Sequence, residues 1–465
     1  MDSKGPLSHG FYTSGQLMLE EYYTLSVIGK AGIGTPHMDG NTRLCTATAA
    51  AALKESFGAD GQPGSYADLD FCEVLFCFGH NVAATQTVLW SRILDRLAGP
   101  DSLRLVAVDP RLTPVAKAAE VHLAPRSGTN LAMVNGLLQQ LIANDWIDHV
   151  YIGEHTRGFE ALASIVANYP PRRVAEICGV EARDVEAAAE IFGTSSAAVS
   201  TVLQGFYQSQ QATAASVAVN NMHLLRGMLG RRGAGILQMN GQPTAQNNRE
   251  TGADGDLPGF RNWQNEHHVA ALAELWNVDP IVIPDWAEPT HAMQIFRYVE
   301  QGSLNFLWIA GTSPAVSLPE LSRIRKILGK EALFLMVSDG NLTETKMSYC
   351  PPHRGARRRV PIPIPTVRSI SQSAQSLRQA RRGAIWTSGW TTPAGWVSPI
   401  AAAGHCRLGK HLKVLSTLGG NAHRAALVTT RGWVTTSSAM VRGSNGRATM
   451  PPRTAQIGFM SITTS

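Results

Sequence analysis

Residues 73–111 read EVLFCFGHNVAATQTVLWSRILDRLAGPDSLRLVAVDPR, and this stretch decides the fold. Glu73 to Phe78 is an apolar run of strand length, closed by Gly79-His80-Asn81. Ala83 to Leu97 then carries helical spacing, with Val88, Leu89, Ile93, Leu94 and Leu97 predicted on one face. Leu103 to Val108 is the next strand and runs into Asp109-Pro110-Arg111. Strand, helix and strand in this order make a βαβ unit, with parallel strands and a helix laid over the sheet.

The pattern continues outward from there. Val121 to Leu123 is a short strand, and Thr129 to Asn144 is a helix with Leu131, Val134, Leu137, Leu138 and Leu141 facing inward. Ala197 to Leu203, Leu304 to Ile309 and Leu333 to Val337 complete the strand set, and the fold class is α/β. In open sheets of this kind ligands bind beyond the carboxyl ends of the strands. The polar loops fall at those ends: Gly79-His80-Asn81, Asp109-Pro110-Arg111, Gln204-Gly205-Phe206-Tyr207-Gln208, Gly311-Thr312-Ser313-Pro314 and Ser338-Asp339. Any one of them is ordinary turn chemistry. Their repetition suits a large polar cofactor with phosphates and purine edges. No Gly-x-Gly-x-x-Gly joins a strand to a helix, which speaks against a nicotinamide dehydrogenase. Gly230-Arg231-Arg232-Gly233-Ala234-Gly235 reads as a helix stop and tight turn.

Charge divides the chain in two. Up to Glu344 there are 24 basic and 35 acidic residues, a formal −11; beyond it there are 17 basic residues and no acidic one, +17. A globular segment mixes both signs. The tail from 349 to 465 is rich in Arg, Pro and Ser, has almost no sustained period of 3.6 or 2, and is expected to be irregular and disordered. Two readings stand for it. The preferred one is a shifted reading frame in a high-GC gene, which starves a translation product of Asp and Glu; the other is a basic arm that neutralises nucleic-acid phosphates.

The first 348 residues suffice for one large or two ordinary domains, without an apolar stretch of membrane-spanning length or a signal peptide, and a cytoplasmic protein is expected. The six cysteines (Cys45, Cys72, Cys77, Cys178, Cys350, Cys406) form no Cys-x-x-Cys pair for zinc or iron–sulfur ligation. Cys45 differs in context: Asn41-Thr42-Arg43-Leu44-Cys45-Thr46 opens an Ala-rich helix, where backbone amides and the helix dipole stabilise a thiolate fit for a soft metal. A plain buried cysteine is the other reading of the same residues.

Further motifs occur in a fixed order around Cys45. They are Gly10-Phe11-Tyr12-Thr13-Ser14-Gly15-Gln16-Leu17, Gly64-Ser65-Tyr66-Ala67-Asp68, Val108-Asp109-Pro110-Arg111, Met239-Asn240-Gly241-Gln242-Pro243-Thr244-Ala245, Arg249-Glu250, Leu257-Pro258-Gly259-Phe260-Arg261 and Trp308-Ile309-Ala310-Gly311-Thr312-Ser313-Pro314-Ala315. In this order the chain resembles molybdopterin oxidoreductases of the dimethyl sulfoxide reductase superfamily, above all the assimilatory nitrate reductase catalytic subunit, over residues 9 to 346.

The resemblance implies molybdenum held by bis(molybdopterin guanine dinucleotide), with Cys45 as the protein's metal ligand and nitrate or a similar small anion as substrate, reduced by oxygen-atom transfer with electrons from a donor protein. It implies that Asn81, Asp109, Arg111, Gly128, Asn130, Gln204, Gly205, Gln242, Gly311, Thr312, Ser313 and Asp339 line the dinucleotides, and that Arg249 and Glu250 stand near the metal, with Arg249 drawing in the anion. It also implies a discontinuous α/β domain of residues 1–40 and 240–348, with a Rossmann-like domain of residues 41–239 inserted. Some positions depart from the family pattern. Thr46 stands where nitrate reductases often have Met and formate dehydrogenases have His, and Asn130 where an Asp is usual. The iron–sulfur ligands expected at the amino-terminal side are not in this sequence, so the chain reads as a fragment, inactive alone. Formate dehydrogenase-like chemistry and a non-catalytic remnant with a nucleic-acid-binding tail are the alternatives.

Overall fold

The computed structural model describes residues 4–101, 103–340, 343–347 and 461–462. These fall into two compact units, one formed by residues up to Arg43 and again from Thr244, the other by Leu44–Pro243 with Ser461–Ile462. Among the described residues no helix is long and apolar enough to cross a membrane.

The Leu44–Pro243 unit is built on five parallel strands lying side by side in the order Val121–Leu123, Arg104–Val108, Val74–Phe78, Ala198–Val202 and Gly235–Gln238. Val74–Phe78 and Ala198–Val202 are buried along their whole length, which is why they read as continuous apolar runs rather than alternating ones. Helices Asn130–Ala143 and Ala212–Leu225 pack on each other. Phe76 meets Phe192 edge-on at 5.6 Å and Phe78 meets Phe206 at 5.4 Å between ring centroids, so one face of the central strand is held by aromatic contacts.

Two expectations for this unit need correction. Residues 83–97 are not one helix: Gln86, at φ −130° and ψ 70°, separates Val82–Thr85 from Thr87–Ala98. Nor do Val88 and Leu94 face the core; they are 85% and 42% exposed, whereas Ile93 is buried with Leu89, Trp90 and Leu97 packed beside it. At about 100° per residue Val88 and Leu94 lie roughly 140° and 100° around the helix from Ile93, outside the stripe that Leu89, Trp90 and Leu97 share with it. The glycine run is a turn as expected, with Gly230 and Gly233 at positive φ, but Gly235 already opens a strand. A side chain there would sit 2.8 Å from the Gly64 Cα.

The other unit carries four parallel strands in the order Phe334–Ser338, Phe306–Ala310, His9–Thr13 and Met38–Gly40. Its core joins Tyr12 to Ile295, Phe296 and Val299 of helix Ala292–Gln301 and to Ile324, Ile327 and Leu328 of helix Leu321–Leu328. The strands His9–Thr13 and Met38–Gly40 were not expected as strands. The irregular tail, with its frameshift and nucleic-acid readings, lies outside the described residues except for Ser461–Ile462, which pair antiparallel with Thr156–Arg157.

Candidate cofactor site

In the five-stranded sheet, successive strands proceed outward in opposite directions from the neighbouring pair Val74–Phe78 and Ala198–Val202. The loops leaving such a pair diverge to opposite faces and open a crevice at the carboxyl edge. Here Gly79 and Gly205 are the hinge of that crevice. Gly205 donates its backbone N–H to the Gly79 carbonyl at 3.1 Å, and Leu203 donates to Phe78 at 3.1 Å. A Cβ on Gly205 would lie 2.5 Å from the Gly79 Cα, and Gly79 adopts a φ of +56°. Both positions therefore need glycine, one for contact alone and the other for contact and backbone conformation.

The crevice encloses about 490 Å³, and seven expected cofactor residues line it: Asn81, Asp109, Arg111, Gly128, Asn130, Gln204 and Gly205. Thr85, Ser127, Gln208, Ser209 and Gly241 complete much of the wall; Ser127, Gln208 and Gly241 lay inside motifs read from sequence, but Thr85 and Ser209 carried no signal beyond proximity to a strand end. Asp109 is 6% exposed and accepts from the Arg111 backbone N–H at 2.9 Å, and the largely exposed Arg111 guanidinium pairs with its carboxylate at 3.4 Å. Asn130 donates its amide to the Gly205 carbonyl at 3.0 Å. A carboxylate could not make that bond, so Asn130 is matched to this chain's own loop. Asn81 keeps a buried side-chain carbonyl with no protein partner, an acceptor left over on the wall of the crevice.

Cys45 sits in the first turn of helix Arg43–Phe57, half-buried, and Thr46 after it departs from helical geometry at φ −131° and ψ 22°. Gln204 Nε2 donates to Cys45 Sγ at 2.9 Å, and Gln208 Nε2 donates to the Cys45 carbonyl at 2.8 Å. The other described cysteines are different: burial pushes the Cys72 and Cys77 thiols up to about 12 and raises Cys178 as well, leaving them protonated core groups. Among the described residues no cluster of three or more His, Cys, Asp or Glu could hold a metal ion. Cys45 is thus a single sulfur donor beside a crevice, which fits a metal brought in and largely ligated by an organic cofactor.

The remaining expected residues belong to the other unit, except Gln242, which follows Gly241. Gly311, at φ +67°, turns the chain so tightly that a Cβ would lie 2.8 Å from Ser14 Oγ. Thr312 accepts from the Asn41 amide at 3.3 Å, Ser313 and Thr345 share a hydrogen bond of 3.0 Å, and Asp339 follows Ser338 at the same edge of the sheet. Arg249 is buried on helix Ala245–Glu250 and donates to the Ala245 carbonyl at 3.4 Å; Glu250 accepts from the Asn247 amide at 2.6 Å.

Sequence reading missed a charged network in this unit. Arg43 bridges the buried Asp39 and Asp254, each at 3.0 Å, and Thr42 donates to Asp254 at 2.6 Å. Burial, reinforced by the Asp254 charge, raises the Asp39 carboxyl far above the usual range. Burial also opposes ionisation of Asp254, but Arg43 with the hydrogen bonds from Asp39 and Thr42 outweighs it and holds that carboxyl low. One proton on the pair resolves the like-charge conflict.

These features define a class: parallel α/β sheets with glycine turns and amides in the strand-end loops, and in the five-stranded one a half-buried thiol hydrogen-bonded to a residue of the crevice wall. The family model for molybdopterin oxidoreductases matches residues 2–350, and the chain belongs to that family. It is 34% identical over 336 residues to a nitrate reductase of Synechocystis sp., covering 72% of this chain and 47% of that protein. It is 27% identical over 339 residues to the alpha subunit of a formate dehydrogenase of Methanocaldococcus jannaschii, covering 72% and 49%. The acetylene hydratase of Pelobacter acetylenicus shares the fold, with a TM-score of 0.55 and 19% identity over 75% of this chain and 49% of that one. The chain spans about half the length of these relatives.

Proposed function

We propose that this chain belongs to a nitrate reductase and carries residues that hold bis(molybdopterin guanine dinucleotide). The observation that supports this most is the crevice at the sheet's switch point, where Gln204 both lines the wall and donates to the Cys45 sulfur. Similarity to the Synechocystis nitrate reductase supports nitrate as the substrate.

When bound, such a cofactor supplies the two-electron chemistry and the oxygen-atom abstraction. The chain's own residues bind, orient and balance charge. Cys45 gives the sulfur ligand. The buried carbonyl of Asn81 accepts from an N–H of the ligand, and the Asn81 amide and the Asp109 carboxylate match a guanine edge, while the Gln204 amide stays with the Cys45 sulfur. Arg111 and the hydroxyls of Ser127 and Ser209 suit pyrophosphate, and Gly128, at φ +88° with nothing within 4 Å of a would-be Cβ, leaves its backbone open to it. Gln242 in the same unit, and Gly311, Thr312, Ser313 and Asp339 in the other, are further candidates for cofactor contacts. The buried Arg249 guanidinium offsets the charge of nitrate, with Glu250 beside it in sequence. Electrons come from a donor protein.

The test is expression in a host that makes the cofactor, followed by nitrite formation with a reduced viologen donor. Nitrite release that is lost in Cys45→Ser is expected. Dye reduction by formate with no nitrite from nitrate would replace this reading by the formate dehydrogenase one, which the Methanocaldococcus likeness favours.

A further inference from the structure

Two amides from one short turn converge on Cys45. Gln204 opens the helical turn Gln204–Tyr207 and Gln208 closes it, so the two side chains, four residues apart, leave the same face. Gln204 Nε2 donates to the sulfur at 2.9 Å; Gln208 Nε2 donates to the Cys45 carbonyl at 2.8 Å and to the Leu44 carbonyl at 3.3 Å. The turn itself is fixed. Phe206 is 1% exposed and packs edge-on against Phe78, and the Tyr207 hydroxyl donates within 2.8 Å of the Val202 carbonyl. Gly205 donates to Gly79 at the crevice hinge. The amides are therefore carried by a turn held by packing and hydrogen bonds, and they meet both the side chain and the main chain of one residue.

We infer that Gln204 is a positioning residue whose N–H aims the Cys45 sulfur and tunes the redox potential of the metal it ligates, while Gln208 anchors the main chain beneath it. The inference rests on the reading of Cys45 as the metal ligand. A thiolate that accepts an N–H hydrogen bond donates less electron density to its metal, which favours the reduced metal and raises its potential. Gln204 thus acts on both sides of the site, since the same side chain lines the crevice.

Gln204→Met keeps the length and removes the donor. In the loaded protein, redox titration of the Mo(V) electron paramagnetic resonance signal should show the one-electron equilibrium shifted about tenfold toward the oxidised side, about 59 mV. Gln204→Glu, of the same shape but with a carboxylate facing the sulfur, should shift it further in the same direction. A second measurement needs no metal: alkylation of Cys45 by a neutral maleimide, followed by peptide mass spectrometry. Gln204→Ala uncovers the sulfur and should speed this several-fold, whereas Cys72, Cys77 and Cys178 stay buried and slow. An unchanged potential in Gln204→Met overturns the tuning role, and an unchanged alkylation rate in Gln204→Ala overturns the contact itself. If the wild-type chain takes up no molybdenum, the nitrate reductase reading fails and the alkylation rate alone decides the clamp.

Discussion

Three glycines around the crevice separate two physical costs. Adding a methyl at Gly205 meets only the contact problem, because its Cβ would lie 2.5 Å from the Gly79 Cα and 2.9 Å from the Gly79 carbonyl oxygen. Backbone atoms cannot swing aside as a side chain can, so overpacking of about 1–3 kcal/mol is expected. Gly128→Ala meets only the conformational problem: φ is +88° with nothing within 4 Å of the new Cβ, and the left-handed penalty is about 1–2 kcal/mol. Gly79→Ala meets both, at φ +56° with the Gly205 Cα 2.6 Å away, and should cost about 2–5 kcal/mol, or roughly 10 °C in Tm for a unit of this size. Urea unfolding of the three variants, compared at unchanged m-value, measures the series. Gly205→Ala within about 0.5 kcal/mol of wild type, or Gly128→Ala as costly as Gly79→Ala, would refute the hinge.

Asp254→Asn removes the charge that helps keep Asp39 protonated, so Asp39 ionises and holds Arg43 at 3.0 Å; by urea unfolding the cost should stay well below the roughly 3–5 kcal/mol of a buried charge left unpaired. Asn130→Asp sets a carboxylate against the Gly205 carbonyl in place of a 3.0 Å donor and should lose about 1–3 kcal/mol; the contact raises the folded acid's value, so the loss shrinks as pH falls toward about 4, where the acid can donate again. Burial lowers His80 to about 4, and its neutral ring is held between Thr201 and Gln86. Because the folded value lies below the unfolded one, stability is full above about pH 6.5 and falls as pH drops toward 4. His80→Gln should flatten that slope by up to about 1.4 kcal/mol per pH unit, seen in urea midpoints across the range.

The βαβ order was readable because strands covered on both faces must be apolar throughout, as in Val74–Phe78. Met38–Gly40 escaped notice for the opposite reason. Its central residue is an aspartate, buried only because Arg43 and the Ala292 backbone N–H satisfy it, and those partners lie four and 253 residues away. His9–Thr13 carries His, Gly and Thr among its five residues and was seen as a motif rather than a strand. The Val88 and Leu94 error came from counting apolar residues without their helical phase. At the site, strand-end loops were legible because a parallel sheet gathers them at one edge. The hydrogen bond from Gln204 to Cys45 was not, since it joins residues 159 apart in sequence through a turn whose orientation depends on Phe206 and Tyr207 packing.

The most direct measurement is elemental and nucleotide analysis of the chain purified from a host that builds the cofactor. Molybdenum and acid-released guanine nucleotide should appear together in a fixed ratio, and Cys45→Ala should keep the fold by circular dichroism while altering the Mo(V) electron paramagnetic resonance signal. A folded wild-type chain free of both molybdenum and guanine nucleotide would contradict the account.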